Sequence, residues 1–161
     1  MALVANGLSD RDLAAELEHV DAGQLVLVID ACRSGQALHA DDQRQGPMNS
    51  QGLAQLAYEK GMYILTAAQA YQDAIEMSDG ARAHGLLTEA LLEGLHADGA
   101  SGAGLSLRTW LDGAAAAVPT LYRQAKGEHN LAYSEVDVQK PRVFYRRDME
   151  PVPFIVAKPG Q

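Results

Sequence analysis

Cysteine is almost absent from this chain, which carries a single one, Cys32, among its 161 residues. One thiol excludes an internal disulfide and a zinc site built from several cysteines, and it suits a reducing compartment. Long apolar runs are also lacking, because no stretch approaches the roughly eighteen residues of a membrane span. The first seven residues do not combine a basic start with an apolar core, as a signal peptide would. We therefore expect a cytoplasmic protein without an anchor or an export signal.

Basic side chains are in the minority, with 13 Lys and Arg against 21 Asp and Glu and a net charge of -8. This balance disfavours a phosphate-backbone partner and permits a cationic substrate, although solubility is the simpler explanation. Residues 98–109 lack the ligands of a calcium loop, and the glycine cluster at 99–104 lacks the lysine of a phosphate loop. The sequence thus predicts no nucleic acid partner, no metal and no cofactor.

Two segments of the chain, residues 24–30 and 62–68, are almost uniformly apolar. Such runs are typical of strands that are buried on both faces of a parallel sheet. Two less regular segments, residues 142–146 and 152–156, predict short strands. Neighbouring prolines restrict these two strands to sheet edges, because proline cannot donate a backbone hydrogen bond.

Elsewhere apolar side chains recur at helical spacing. The predicted helices lie at residues 10–19, 51–59, 86–95 and after Ser106, where Pro119 kinks or ends the last one. The polar stretch 36–50 is predicted to be an exposed loop. This alternation of strands and helices, in a chain of one-domain length, predicts a single α/β domain over residues 1–161.

Cys32 follows the first predicted strand at its carboxyl end, where the reactive groups of parallel sheets gather. Taken alone, such a cysteine is more often a small buried hydrophobic residue than a nucleophile. The context favours the nucleophile, because a following helix would stabilise a thiolate and the small Ser34 and Gly35 leave the sulfur accessible. The negative charge of Asp30 would oppose ionisation of the nearby Cys32 thiol. If Asp30 has a functional role, we therefore expect it to bind a positively charged group of a substrate. Otherwise it caps the end of the strand.

Five segments together resemble a known family. They are Leu27–Gly35 around the cysteine, Ile64–Gln69, Asp73–Glu76, His84–Leu95 and Gln139–Pro141. In this order they resemble segments of the caspase-like cysteine peptidases, especially the bacterial and metacaspase branches. The resemblance covers residues 9–156, which makes it far more specific than a cysteine motif alone.

The resemblance implies a three-layer α/β/α sandwich with a mostly parallel sheet, and cysteine endopeptidase activity on a protein or peptide substrate. Cys32 would attack the peptide carbonyl with the help of a histidine, while backbone N–H groups stabilise the oxyanion. Asp30 would line the primary specificity pocket and select cleavage after Arg or Lys. Asp73 would add a second carboxylate, although it could equally begin a helix. The implied substrate-binding wall consists of Thr66, Ala67, Ala68 and Gln69.

The histidine departs from the family pattern. The resemblance places it upstream of the cysteine, about fifty residues earlier in comparable families, whereas 31 residues precede Cys32. His19 lies on the first predicted helix and is expected at the surface. The remaining histidines, which are expected to be solvated, are His39, His84, His96 and His129. We therefore expect that the first strands of the domain, and the histidine with them, are missing here and that this chain alone is inactive.

Missing strands would leave an unpaired sheet edge, and an unpaired edge predicts a homodimer formed through it. Two alternatives remain open. One is a caspase-like fold that has lost catalysis and serves as a scaffold or regulatory interaction module, which the lack of a suitable histidine favours. The other is a doubly wound regulatory domain in which Cys32 is merely buried.

Overall fold

The computed structural model describes residues 10–30, 55, 57–69, 72, 74–75, 84–99 and 105–146. In chain order its elements are helix α1 (Asp10–Glu18), strands β1 (Val26–Ile29) and β2 (Tyr63–Thr66), helices α2 (Leu86–Gly99) and α3 (Leu107–Glu128), and strand β3 (Arg142–Phe144). Residues 57–60 are helical as well. The described part of the chain is a mixed α/β structure, which confirms the predicted fold class at this level. The predicted loop at 36–50 and strand at 152–156 lie outside the described residues.

The three described strands form one sheet in the order β1, β2, β3. β1 and β2 run parallel, with Val26 opposite Tyr63 and Ile29 opposite Thr66. β3 pairs with β2 in the antiparallel direction. The described sheet is therefore mixed, and the carboxyl ends of its two parallel strands lie side by side.

Apolar side chains pack on both faces of this sheet. On one face, the buried Ile64 joins Ala57 and Met62, and Leu27 of β1 and Leu17 of α1 pack against them. The larger cluster, on the other face, includes Tyr63 and Leu65 of β2, Leu86, Leu87 and Ala90 of α2, and Leu111, Ala114 and Val118 of α3. Because alternate residues of β2 enter the two clusters, all four residues of the strand are buried.

β1 is less buried than its apolar sequence predicts. Val26 is 37% exposed and Val28 is 40% exposed, while Leu27 and Ile29 are half-buried. The reason is that β2 pairs with one edge of β1, and no described strand pairs with the other edge. The prediction of a strand buried on both faces is therefore confirmed for β2 and wrong for β1.

The helices confirm the predicted stop at Gly61 and, of the two outcomes predicted for Pro119, exclude the end of the helix. Gly61 ends the helical residues 57–60, as predicted, and has a φ of 60° that glycine adopts without strain. Pro119, in contrast, does not end α3, which continues to Glu128. Val118 and Tyr122, on either side of the proline, are buried in the core. This packing outweighs the single backbone hydrogen bond that proline removes.

Candidate functional site

The predicted substrate-binding residues gather where β1 and β2 end. Asp30 follows β1 directly, and the predicted wall, residues 66–69, begins at the last residue of β2. The Ala67 N–H donates to the Ile29 carbonyl at 2.9 Å, which continues the pairing up to the ends of both strands. The structure therefore brings Asp30 and the predicted wall to the same edge of the sheet.

Asp30 is held by the start of α2. Its Oδ2 accepts hydrogen bonds from the Thr88 backbone N–H at 3.2 Å and from the Thr88 hydroxyl at 2.5 Å. Thr88 is the third residue of α2, and the first amides of a helix have no partner within it. A carboxylate in this place also interacts favourably with the helix dipole. Asp30 thus caps a helix that lies 58 residues away in the sequence.

Gly85 gives the Asp30 carboxylate room to reach the helix. A Cβ on residue 85 would lie 2.5 Å from Asp30 Oδ2 and 2.6 Å from Oδ1, closer than nonbonded atoms approach. A larger residue at this position would force the Asp30 side chain to move. Sequence reasoning missed the roles of Gly85 and Thr88. The available signal was a glycine directly before a helix whose third residue carries a hydroxyl.

His84 lies beside this contact, and its environment differs from the prediction. Its Nε2 is 3.1 Å from Glu89 Oε2, and the two side chains are 25% and 11% exposed. The prediction of a solvated His84 is therefore wrong, because the first turn of α2 folds Glu89 back onto the residue that precedes Gly85. The sequence pattern HGLLTE, with a histidine five residues before a glutamate, was the signal that could have suggested this pair.

The other described histidines are at the surface, as predicted. His19 is exposed, and its Nδ1 lies 2.7 Å from the Ala15 carbonyl of α1. His96 and His129 are exposed too. Three residues that the sequence singled out, Cys32, His39 and Asp73, lie outside the described residues.

A buried glutamine anchors the end of β2. Gln139 is fully buried; its Nε2 donates to the Ala67 carbonyl at 2.9 Å, and its Oε1 accepts from the Ile75 N–H at 3.0 Å. Within the predicted wall, Thr66 and Ala67 are buried, whereas Ala68 and Gln69 are half-buried. The accessible side chains of the wall are therefore the last two, and Gln139 fixes the backbone that carries them.

A second glutamine ties the same segments together. Gln72 Nε2 donates to the Val138 carbonyl at 2.8 Å and to the Val136 carbonyl at 3.3 Å. Its Oε1 accepts from the Lys140 N–H at 3.1 Å and, more weakly, from the Gln69 N–H at 3.4 Å. Buried polar groups need such partners, and here they join the chain after β2 to residues 136–140. Sequence reasoning noted Gln139 within a motif but had no signal for Gln72.

The turn that leads into Gln139 is stabilised by charge. Asp137 Oδ2 accepts from the Ser134 hydroxyl at 2.6 Å and from the Ser134 N–H at 2.9 Å. These two hydrogen bonds lower the pKa of the Asp137 carboxyl. A hydrogen bond from Arg123 likewise lowers the pKa of the Glu135 carboxyl and raises that of the guanidinium. Both carboxylates therefore favour the folded turn while ionised, and their contribution is lost as the pH falls through their lowered pKa values.

A comparison of this chain with protein-family models, curated proteins and solved structures found no match. Among the described residues, His, Cys, Asp and Glu side chains nowhere come together in a group of three that could bind a metal. No helix in the described part has the length and apolar character required to cross a membrane.

Proposed function

We propose that this protein is part of a cysteine endopeptidase that cleaves peptide bonds after Arg or Lys. The observation that carries the proposal is the position of Asp30, whose exposed carboxylate stands at the edge shared by β1 and β2. Ligands of open α/β sheets bind beyond the carboxyl ends of the parallel strands. A carboxylate there, two residues before the only cysteine, supports recognition of a basic residue beside a nucleophile.

The proposed reaction is nucleophilic catalysis. The Cys32 thiolate attacks the carbonyl carbon of the scissile bond, and backbone N–H groups stabilise the oxyanion. The amine leaves with a proton donated by a histidine, and water then hydrolyses the thioester to regenerate the thiol. We assign this histidine to a segment encoded upstream of Met1, following the family resemblance. The described His84 is instead engaged by Glu89.

We also propose that the complete domain has a three-layer α/β/α architecture and that the protein is cytoplasmic. Support for the architecture comes from the apolar clusters on both faces of the sheet, one involving α1 and the other involving α2 and α3. Support for the location comes from the single cysteine, which suits a reducing compartment.

The test is hydrolysis of fluorogenic peptides that end in Arg, Lys or Asp by the full-length gene product. We expect turnover of the Arg and Lys peptides, its loss in Cys32→Ser, and a preference over the Asp peptide that Asp30→Asn abolishes. Turnover that does not depend on Cys32, or none of any peptide, would defeat the proposal. Activity of the 161-residue chain alone that disappears in His84→Ala would reassign the base to His84.

One observation favours a second candidate, a catalytically inactive scaffold or interaction module. The Asp30 carboxylate already has a structural role as the cap of α2, which requires no substrate. Translation of the DNA upstream of Met1 distinguishes the two candidates. An apolar strand that ends in His-Gly supports the peptidase, whereas an unrelated domain or a stop codon supports the scaffold.

A further inference from the structure

Asp30 uses only one of its two carboxylate oxygens in its described contacts. Both hydrogen bonds from Thr88 end on Oδ2. Among the described residues, Oδ1 has no hydrogen-bond partner, and Asp30 is exposed. A carboxylate accepts several hydrogen bonds, so one oxygen can remain bound to the helix while the other receives an external donor.

Asp30 also has no positively charged partner in the described part of the chain. The ion pairs found there join His84 to Glu89, Arg108 to Asp112 and Arg123 to Glu135. The positive end of the α2 dipole offsets only part of a full negative charge. Oδ1 of Asp30, which has no partner among the described residues, therefore remains attractive to a guanidinium or ammonium group.

We propose that Thr88 and Gly85 are specificity-determining positioning residues, which hold the Asp30 carboxylate so that Oδ1 faces a basic substrate side chain. This inference rests on the proposed function and names the device behind its selectivity. The Thr88 hydroxyl and amide fix Oδ2, and both donors survive binding of a cation at Oδ1. Gly85 leaves room for the carboxylate, since a Cβ at residue 85 would lie 2.5 Å from Oδ2 and 2.6 Å from Oδ1 and would displace both oxygens.

The chain provides a matched control for Thr88. Thr109 is the third residue of α3, as Thr88 is the third residue of α2, and it is exposed. Thr88→Val and Thr109→Val remove the same hydroxyl at the same helical position with the same β-branched shape. Gly113 is a similar control for Gly85, because a Cβ placed there would meet no atom within 4 Å beyond its chain neighbours and the backbone of its own helix.

The experiment measures binding, which does not require turnover. Nα-acetyl-arginine amide and its neutral isostere Nα-acetyl-citrulline amide are titrated into the 161-residue chain while the backbone amide signals of Asp30 and Thr88 are followed by NMR. We expect saturable shifts with the arginine compound and none with citrulline. Thr88→Val removes the hydrogen bond from the Thr88 hydroxyl to Asp30 Oδ2. Because the carboxylate is then held less firmly, arginine binding should weaken about fivefold. Thr88→Ser should restore it, and Thr109→Val should leave it unchanged.

A second variant keeps the test decisive if Thr88→Val folds poorly. Gly85→Ala should push the flexible Asp30 side chain aside and weaken arginine binding, whereas Gly113→Ala should not. Arginine binding unchanged in both Thr88→Val and Gly85→Ala, or equal affinities for arginine and citrulline compounds in the unmodified chain, would overturn the inference. Arginine binding that responds to Thr88, together with a full-length gene product that has no peptidase activity, would support the inference while defeating the proposed function.

Discussion

β1 and β2 are neighbouring parallel strands of four residues each, with similar apolar sequences, yet their surroundings differ. β2 lies between two strands, and its end is fixed by a buried glutamine. β1 has one described neighbour, and its end is fixed by an exposed carboxylate at a helix start. The adjacent strands, more than a strand's own residues, therefore decide how deeply its side chains are buried. The candidate site is likewise divided into a firmly held wall and an accessible charged residue.

The largest expected effect is in the core of β2. Leu65→Ala removes a side chain with no solvent exposure, so we expect a loss of about 2–5 kcal/mol in the free energy of unfolding. Val28→Ala is the matched change in β1, where a side chain that is 40% exposed should cost less than about 1 kcal/mol. Urea denaturation measures both. Similar losses for the two variants would show that β1 is as buried as β2.

The next effect concerns the anchor of the substrate-binding wall. Gln139→Leu leaves the Ala67 carbonyl and the Ile75 N–H without their partner, so we expect a loss of about 1–3 kcal/mol in the free energy of unfolding. Gln124→Leu, at an exposed position of α3, is the control and should change stability by less than about 0.5 kcal/mol. Urea denaturation again measures the difference. Equal effects of the two changes would show that Gln139 does not anchor the end of β2.

A smaller effect is expected at the end of β1. Asp30→Ala removes the cap of α2, which should destabilise the protein by about 1 kcal/mol. Asp112→Ala removes a surface carboxylate 3.7 Å from Arg108, and exposed pairs of this kind contribute about 0–1 kcal/mol. Hydrogen exchange of the first α2 amides locates the effect. Unchanged protection of the Thr88 amide in Asp30→Ala would contradict the capping contact.

The last prediction concerns the edge of β1 with which no described strand pairs. Here we expect the smallest effect on stability and a measurable effect on association. The sequence predicts that a second copy pairs with this edge, and the position of β1 at the end of the described strand order supports that proposal. Val28→Lys should convert a dimer into a monomer, as measured by light scattering. Val136→Lys, at a position that is 74% exposed, should not. A monomeric unmodified chain would contradict the proposal.

The sequence predicted what depends on local pattern. Apolar spacing and glycine geometry predict both strands of the parallel pair, the four helical segments and the stop at Gly61. The carboxyl ends of the two parallel strands lie side by side, which places Asp30 next to the predicted wall. Sequence reasoning failed where distant residues decide the outcome. The contact between Asp30 and Thr88 depends on how α2 is placed against the sheet, and the exposure of Val28 depends on which strands pair with β1. The spacing of apolar residues within a single segment does not contain that information.

The most direct test of the account is the rate at which Cys32 reacts with a cationic electrophile. Because the chain has a single cysteine, intact-mass spectrometry follows this one thiol without ambiguity. We expect the Nα-bromoacetyl derivative of arginine amide to alkylate the native chain several-fold faster than the citrulline derivative. Asp30→Asn, or unfolding in urea, should equalise the two rates. Equal rates in the native protein, or no reaction until it unfolds, would contradict a cation site beside an accessible nucleophile.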